Sequence, residues 1–228
     1  MRILAIGDIH GRNIWKKINF DDYDKVIFLG DYLDSHRLSN QEILFNLEEL
    51  VNLQNKRSNV AFLIGNHDLQ YTDEDFAFLV SGFRESYQKE ASELLSLLKW
   101  KFAVEFDGVL YTHAGLLNEF FKSITVIHNN ISDTINQVGF SEPGVFLITI
   151  HSMRGGDSDA GSSIWCDFRE LVMEKDPIPI NQVFGHSARE GGKIDRKDRF
   201  WRVCIDVLTK YNHAYEILDG QEPIIVNL

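Results

Sequence analysis

Asp8, His10, Asp31, Asn66, His67, His113 and His186 are the residues of this chain whose types and placement could do chemistry together. They sit in short blocks: "GDIHG" holds Asp8 and His10, "GDYLDSH" holds Asp31, "GNHD" holds Asn66 and His67, "YTHAGL" holds His113 and "VFGHS" holds His186. Carboxylates, an amide and imidazoles make a mixed oxygen and nitrogen donor set. Such a set suits Mn, Fe, Zn or Ni better than calcium or a thiolate-loving metal. One carboxylate can bridge two cations through its two oxygens, and two-metal hydrolytic sites hold their ions about 3.5–4 Å apart. Asp31, central in the set, is the natural bridge.

The elements that must position these residues are legible as apolar runs that end on Gly. Ile3 to Ile6 precede "GDIHG", Val26 to Leu29 precede "GDYLD", and Val60 to Ile64 precede "GNHD". Continuous apolar strands suit the middle of a sheet covered on both faces, and ligands collect at the carboxyl ends of such strands. Ser39 with Glu42 spells a capping box, followed by Ile43, Leu44, Leu47, Leu50 and Val51 at helical spacing. A helical stretch is expected from Thr72 to about Trp100. "KFAVEFDGVLYTHAG" predicts a hairpin turning at Asp107-Gly108, and the C-terminal stretch predicts strands with a turn at Asp219-Gly220. Between Leu116 and Pro179 the pattern is partly helical, and "RGGDSDAGSS" is a loop.

With 228 residues and 44% apolar composition, the chain is long enough for one sizeable domain. Its formal net charge of -11 argues against a duplex or a membrane surface as partner, since affinity for polyphosphate backbones comes largely from clustered Lys and Arg. A small anionic substrate is still compatible, because a bound metal reverses the sign locally. Cys166 and Cys204 have neither metal-type spacing nor the numbers of a disulfide framework. The N-terminal "MRILAIGDIHGR" reads as neither signal peptide nor membrane helix, so a cytoplasmic protein is expected.

In order, the five blocks resemble the metallophosphoesterase signature of the calcineurin-like superfamily. "GDIHG" and "YTHAGL" are most similar to the branch of serine/threonine protein phosphatases and symmetrical diadenosine tetraphosphate hydrolases. The resemblance implies an α/β fold of the metallophosphoesterase type, a β-sandwich flanked by helices. It would form a single domain over residues 1–228 with a helical insertion at about 69–100. It implies two divalent cations, with Mn the first expectation and Fe, Zn or Ni as alternatives. Asp8, His10 and Asp31 would hold one; Asp31, Asn66, His113 and His186 would hold the other. A metal-bridging hydroxide would attack phosphorus, and His67 would protonate the departing oxygen as general acid, paired with Asp34.

Two departures from the family pattern matter. Ala188 stands where many relatives carry a further histidine, and Ser35 stands where many protein phosphatases carry an arginine that grips phosphate. Arg37 and Arg154 are the candidates to take over substrate binding. The expected activity is phosphomonoester hydrolysis like that of serine/threonine protein phosphatases, on a phosphorylated protein or a small phosphate ester or nucleotide. Cleavage of diadenosine tetraphosphate, a cyclic nucleotide or another phosphodiester is the alternative, and a non-catalytic scaffold of the same fold comes third. No stable nucleic-acid binding and no membrane are expected. His36, near the site in sequence, reads as an exposed loop histidine rather than a substrate contact; His128, His151 and His213 show no partner pattern and read as structural, and Trp165 in "SSIWCDF" as a packing residue.

Overall fold

The computed structural model describes residues 1–124 and 130–228, so His128 lies outside the described residues; the side chains of Thr209 and Lys210 are also left aside. The apolar run Arg2–Ile6 forms β1 and Lys25–Phe28 forms β2. Helix α1 (Asn40–Lys56) then crosses back to β3 (Val60–Leu63). The capping box is present at its start: Ser39 Oγ accepts from Glu42 N at 3.3 Å, and Ser39 N donates to Glu42 Oε2 at 2.8 Å. A one-turn helix α2 (Asn66–Leu69) follows β3.

The stretch expected to be helical from Thr72 to about Trp100 is helical only in its last third, as α3 (Gln88–Leu97). Before it the chain makes two 3-10 turns, Glu74–Phe76 and Glu85–Tyr87. Phe78 at φ 65 and Gly82 at φ 88 explain the difference, because left-handed residues interrupt an α-helix.

Strands β4 (Trp100–Lys101), β5 (Ala103–Phe106) and β6 (Val109–Thr112) come next, β5 and β6 pairing as the expected hairpin. Among the described residues four helices occupy the stretch between β6 and Pro179: α4 (Asn118–Ser123), α5 (Ile131–Ser141), α6 (Pro143–Ile148) and α7 (Phe168–Met173). The chain ends with β7 (Asn181–Phe184), β8 (Ile194–Lys197), β9 (Phe200–Cys204), the short α8 (Leu208–Tyr211), β10 (His213–Leu218) and β11 (Ile224–Asn227).

Among the described residues the strands form two sheets, ordered β11-β10-β1-β2-β3-β4 and β5-β6-β7-β9-β8. Alternation along β1 and β2 shows how they pack. Ile3, Ala5, Ile27 and Leu29 meet Tyr111, Val183 and Val203 of the second sheet. Leu4, Ile6, Val26 and Phe28 face Ile43, Leu47 and Leu50 of α1 and Leu95 of α3. The outer face of the second sheet is covered by Phe120, Ile135, Phe146 and Leu171 from α4 to α7. This is a mixed α/β architecture of two sheets flanked by helices, as the resemblance implies. Burying each of these large apolar side chains contributes roughly 1.5–3 kcal/mol, and the covering on both faces is what permits uninterrupted apolar strands.

The pairing also fixes the place of the site. β1, β2 and β3 are mutually parallel, as are β6, β7 and β9. Gly185 N donates to His113 O at 2.6 Å and Ile205 N to Phe184 O at 2.7 Å, carrying that register past the strand ends. All six strands therefore deliver their C-terminal residues to one edge of the sandwich. Among the described residues no helix is long and apolar enough to cross a membrane.

Candidate metal centre

Asp8 follows β1, Asp31 follows β2, Asn66 and His67 open α2 after β3, His113 follows β6 and His186 follows β7. Two clusters form, Asp8 with His10 and Asp31, and Asp31 with His113 and His186, each with its donor atoms within 4.8 Å of one another. Asp31 is the residue they share.

The backbone is bent to achieve this. His10 (φ 43), Asp31 (φ 52), Asp34 (φ 57) and His186 (φ 64) are all left-handed. Non-glycine residues in that region cost free energy and persist where their surroundings over-determine them, which happens most at functional sites. Glycines permit the close approach: a Cβ on Gly65 would collide with Asp31 Oδ1, and one on Gly185 with Asp8 Oδ1. Backbone amides then hold the carboxylates, His67 N donating to Asp31 Oδ1 at 3.1 Å and His186 N to both oxygens of Asp8 at 3.1 Å.

Hydrogen bonding decides where the imidazole lone pairs point. His113 Nδ1 faces the carbonyl of Leu29 at 2.8 Å and His10 Nδ1 that of Leu33 at 2.8 Å. A carbonyl only accepts, so each Nδ1 carries the proton and each neutral ring turns an Nε2 lone pair inward. Around His113 Nε2 stand Asn66 Oδ1 at 3.0 Å, His186 Nδ1 at 3.3 Å and Asp31 Oδ1 at 3.5 Å. Burial lowers the pKa of His113 and of His10, and takes that of His186 well down, so these rings are neutral donors. His113 Nε2, Asn66 Oδ1 and Asp31 Oδ1 bear lone pairs with no proton to share, which fits a cation, and the donor types, with His186 beside them, fit a divalent transition metal. The carbonyls of Leu29 and Leu33 orient the two rings as such outer partners do in metal sites.

His67 and Asp34 meet as expected, Nδ1 to Oδ2 at 3.1 Å. Burial disfavours the His67 imidazolium, but Asp31 and the bonded Asp34 outweigh it and push the pKa up to about 9. Asp34 Oδ1 also accepts from Tyr71 at 2.5 Å and Tyr87 at 2.8 Å, and Oδ2 accepts from Gln70 at 2.6 Å. Those three residues belong to the segment that leads into α3, which thereby builds the acid's support.

The two candidate arginines are not brought together. Arg37 lines a cavity of about 320 Å³ with His10, Asp34, Ser35 and His67. Arg154 lies on the other flank, in a cavity of about 430 Å³ beside His186. It donates to Ser187 Oγ at 2.7 Å and to the His186 carbonyl at 3.3 Å, and its Nε sits 2.9 Å from Asp167 Oδ2, off the hydrogen-bonding direction. Trp165 stands edge-on to His186, ring centres 5.4 Å apart. His36 is exposed, and His151 caps a turn by accepting from Met153 N at 3.1 Å. A larger cavity of about 560 Å³, lined by His151, Glu170 and Glu174 among others, lies apart from all the strand-end residues.

Three further residues belong to this edge and were not singled out from the sequence. Asp68 Oδ1 accepts from Tyr32 N at 2.7 Å and Leu33 N at 3.1 Å, and its Oδ2 from Gly65 N at 3.1 Å, tying the loops after β2 and β3 together. Arg12 lines the cavity that holds Arg37. Asp206, two residues past β9, is buried against Asp8 with an oxygen that has no hydrogen-bond partner. Burial, then the charge of Asp31, pushes its carboxyl up to about 6, while burial with Asp206 and Asp31 raises that of Asp8 well above the usual range. Its signal was present in the sequence: "WRVCID" repeats the pattern of an apolar run ending on an acid.

Parallel strands from two sheets that deliver carboxylates, an amide and inward-turned imidazoles to one edge define a metal-dependent phosphoester hydrolase. A family model, calcineurin-like phosphoesterase, matches residues 1–217, and the chain belongs to that family. Among solved structures it is similar to a cold-active protein-tyrosine phosphatase of a psychrophilic Shewanella, at 15% identity over 99% of this chain and 80% of that one, TM-score 0.59. It is also similar to a protein serine/threonine phosphatase from Saccharomyces cerevisiae, at 16% identity over 99% and 79%, TM-score 0.51. At these identities the likeness is one of fold. No curated protein matches the sequence.

Proposed function

We propose that the chain is a two-metal phosphomonoesterase that works in the manner of serine/threonine protein phosphatases, on a phosphorylated protein or a small phosphate ester. Asp8, His10 and Asp31 hold one divalent cation; Asp31, Asn66, His113 and His186 hold the other. Manganese is the first choice of metal. The observation that carries this assignment is the pair of donor clusters sharing Asp31, with the Nε2 lone pairs of His10 and His113 turned inward by backbone carbonyls. When bound, the cations supply Lewis acidity toward a phosphoryl oxygen and acidify water.

The chain's own residues do the rest. His67 engages Asp34 through Nδ1, which leaves its Nε2 proton for the oxygen that departs from phosphorus. Its raised pKa keeps that proton in place at neutral pH. Arg37 and Arg154 bind substrate phosphate from opposite flanks. A cytoplasmic location is supported by two buried cysteines that carry no disulfide.

Ser35 favours a second possibility. With no arginine at that position, cleavage of a diadenosine tetraphosphate, cyclic nucleotide or other phosphodiester bond is the alternative. A panel decides between them: phosphopeptide, p-nitrophenyl phosphate, bis(p-nitrophenyl) phosphate, diadenosine tetraphosphate and a 2',3'-cyclic nucleotide, each with Mn, Ni and Zn. Turnover led by the monoesters is expected. Failure to turn over any monoester would sink the first choice.

A further inference from the structure

Arg12 is a half-buried cation of this edge that is tied down only through a backbone carbonyl. Its Nη1 donates to the carbonyl of Ile9 at 3.0 Å, and it forms no ion pair among the described residues. Other arginines that are covered to a similar degree or more are tied down. Arg202 is paired with Glu174 and Asp195, Arg154 lies against Asp167, and Arg84 donates to Asn40 Oδ1 and to the carbonyls of Ser35 and Leu38. Among the charged groups around Arg12, the like charge of Arg37 acts on it more strongly than the carboxylates of Asp206 and Asp8.

Both arginines, Arg12 half-buried and Arg37 exposed, line the cavity of about 320 Å³ that also holds His10, Asp34 and His67. Ser35 explains how Arg37 comes to be there. Its hydroxyl accepts from Arg37 N and from Leu38 N, each at 3.3 Å, making a turn that carries the next side chains to the cavity. In a chain of net charge -11, the protein has thus walled one cavity with two arginines.

We propose that Arg12 and Arg37 form the phosphate grip of this enzyme, their paired guanidiniums receiving the non-departing oxygens of a phosphoryl dianion. Arg12 is then the residue that favours monoesters over diesters. A monoester phosphoryl group carries two negative charges near neutral pH and a diester one, so two guanidiniums match the first and over-match the second. The assignment rests on the phosphoesterase function proposed above and refines its substrate class.

Arg12→Gln and Arg37→Gln in the Mn-loaded protein test it, with p-nitrophenyl phosphate and bis(p-nitrophenyl) phosphate as paired substrates. Loss of a charge-assisted, fork-like contact predicts a fall in kcat/KM on the monoester of roughly 10- to 100-fold for Arg12→Gln, and less than about threefold on the diester. Orthophosphate binding to the Mn-loaded protein, read by titration calorimetry, weakens by about tenfold or more in the same variant. Arg12→Lys restores part of the binding, since it returns the charge without the fork. Unchanged melting temperature and metal content exclude misfolding as the cause. Equal losses on the two substrates, or orthophosphate binding that Arg12→Gln leaves intact, overturn the proposal. Wild-type protein that hydrolyses neither ester sinks the phosphoesterase function instead, and the orthophosphate titration still decides the grip.

Discussion

Asp34 and Asp206 are buried to the same extent, each 4% exposed, on opposite flanks of the same edge. Asp34 has four donors around its two oxygens, from Tyr71, Tyr87, Gln70 and His67. Asp206 faces a second acid, Asp8, and one of its oxygens has no partner. A buried carboxylate must be hydrogen-bonded, paired or neutralised. The protein alone completes the first flank. The second is complete only with a proton or a cation between its acids, and the cation sites proposed here begin at Asp8. Metal dependence should therefore concentrate on the Asp8 and Asp206 flank, and local rigidity, with the proton donation proposed for His67, on the Asp34 flank.

The largest effects come from breaking what the flanks share. Asp31→Asn removes the common carboxylate, so metal content should fall below one cation per chain and kcat by about 10³-fold or more, on the scale of losing preorganised charge. Elemental analysis with a p-nitrophenyl phosphate assay measures both; a variant that keeps two cations would remove Asp31 from the bridging role. His67→Ala breaks only the proton-donating flank. Metal content should be retained and alkyl phosphates should slow by about 10²–10⁴-fold. p-Nitrophenyl phosphate, whose leaving group hardly needs a proton, should slow far less. Equal losses on the two substrates would take His67 out of the acid role.

The same contrast runs through what the sequence made legible. Strand ends could be read because apolar runs stop on Gly and then on an acid, amide or histidine, and β1, β2, β3 and β7 lie where that pattern puts them, while β6 ends on Thr112 directly before His113. Asp34 was visible as the acid after Asp31, but its support was not. Tyr71, Gln70 and Tyr87 reach it from a segment whose apolar spacing mimics a helix, and Phe78 and Gly82 break that helix through backbone angles that spacing does not reveal. Asp206 was missed because one acid after a strand, with no Gly or His beside it, is a weak signal alone; the register of β7 with β9 brings it to Asp8. The helices between α4 and α7 left only local marks, Pro143 at the start of α6 and the Asp167–Glu170 capping box of α7.

Smaller perturbations separate the flanks more finely. Tyr71→Phe removes one of the hydroxyl donors on Asp34 Oδ1 and should destabilise the fold by about 2 kcal/mol, the usual scale for a hydrogen bond to a charged group. The loss should be equal with and without metal. A metal-dependent difference in its melting temperature would show that the flanks are coupled.

Asp206→Asn should do the reverse. In the folded protein the Asp206 carboxyl lies at about 6, against 3.8 for its ordinary value, so folding favours the protonated acid. Its contribution to stability is fully present below about pH 4 and is lost as pH rises through about 6. Asn cannot ionise and escapes that loss. In EDTA the variant should gain on wild type across this window, by on the order of 1 kcal/mol once the sharing of protons with Asp8 is allowed for. Loading Mn should shrink or reverse the gain, because a cation beside Asp8 makes the ionised form of Asp206 favourable. Paired denaturation curves at pH 4, 6 and 7.5, with and without Mn, read both signs. A gain that is the same at every pH and metal state would mean that Asp206 is stabilised in place like Asp34, and would abolish the distinction between the two flanks.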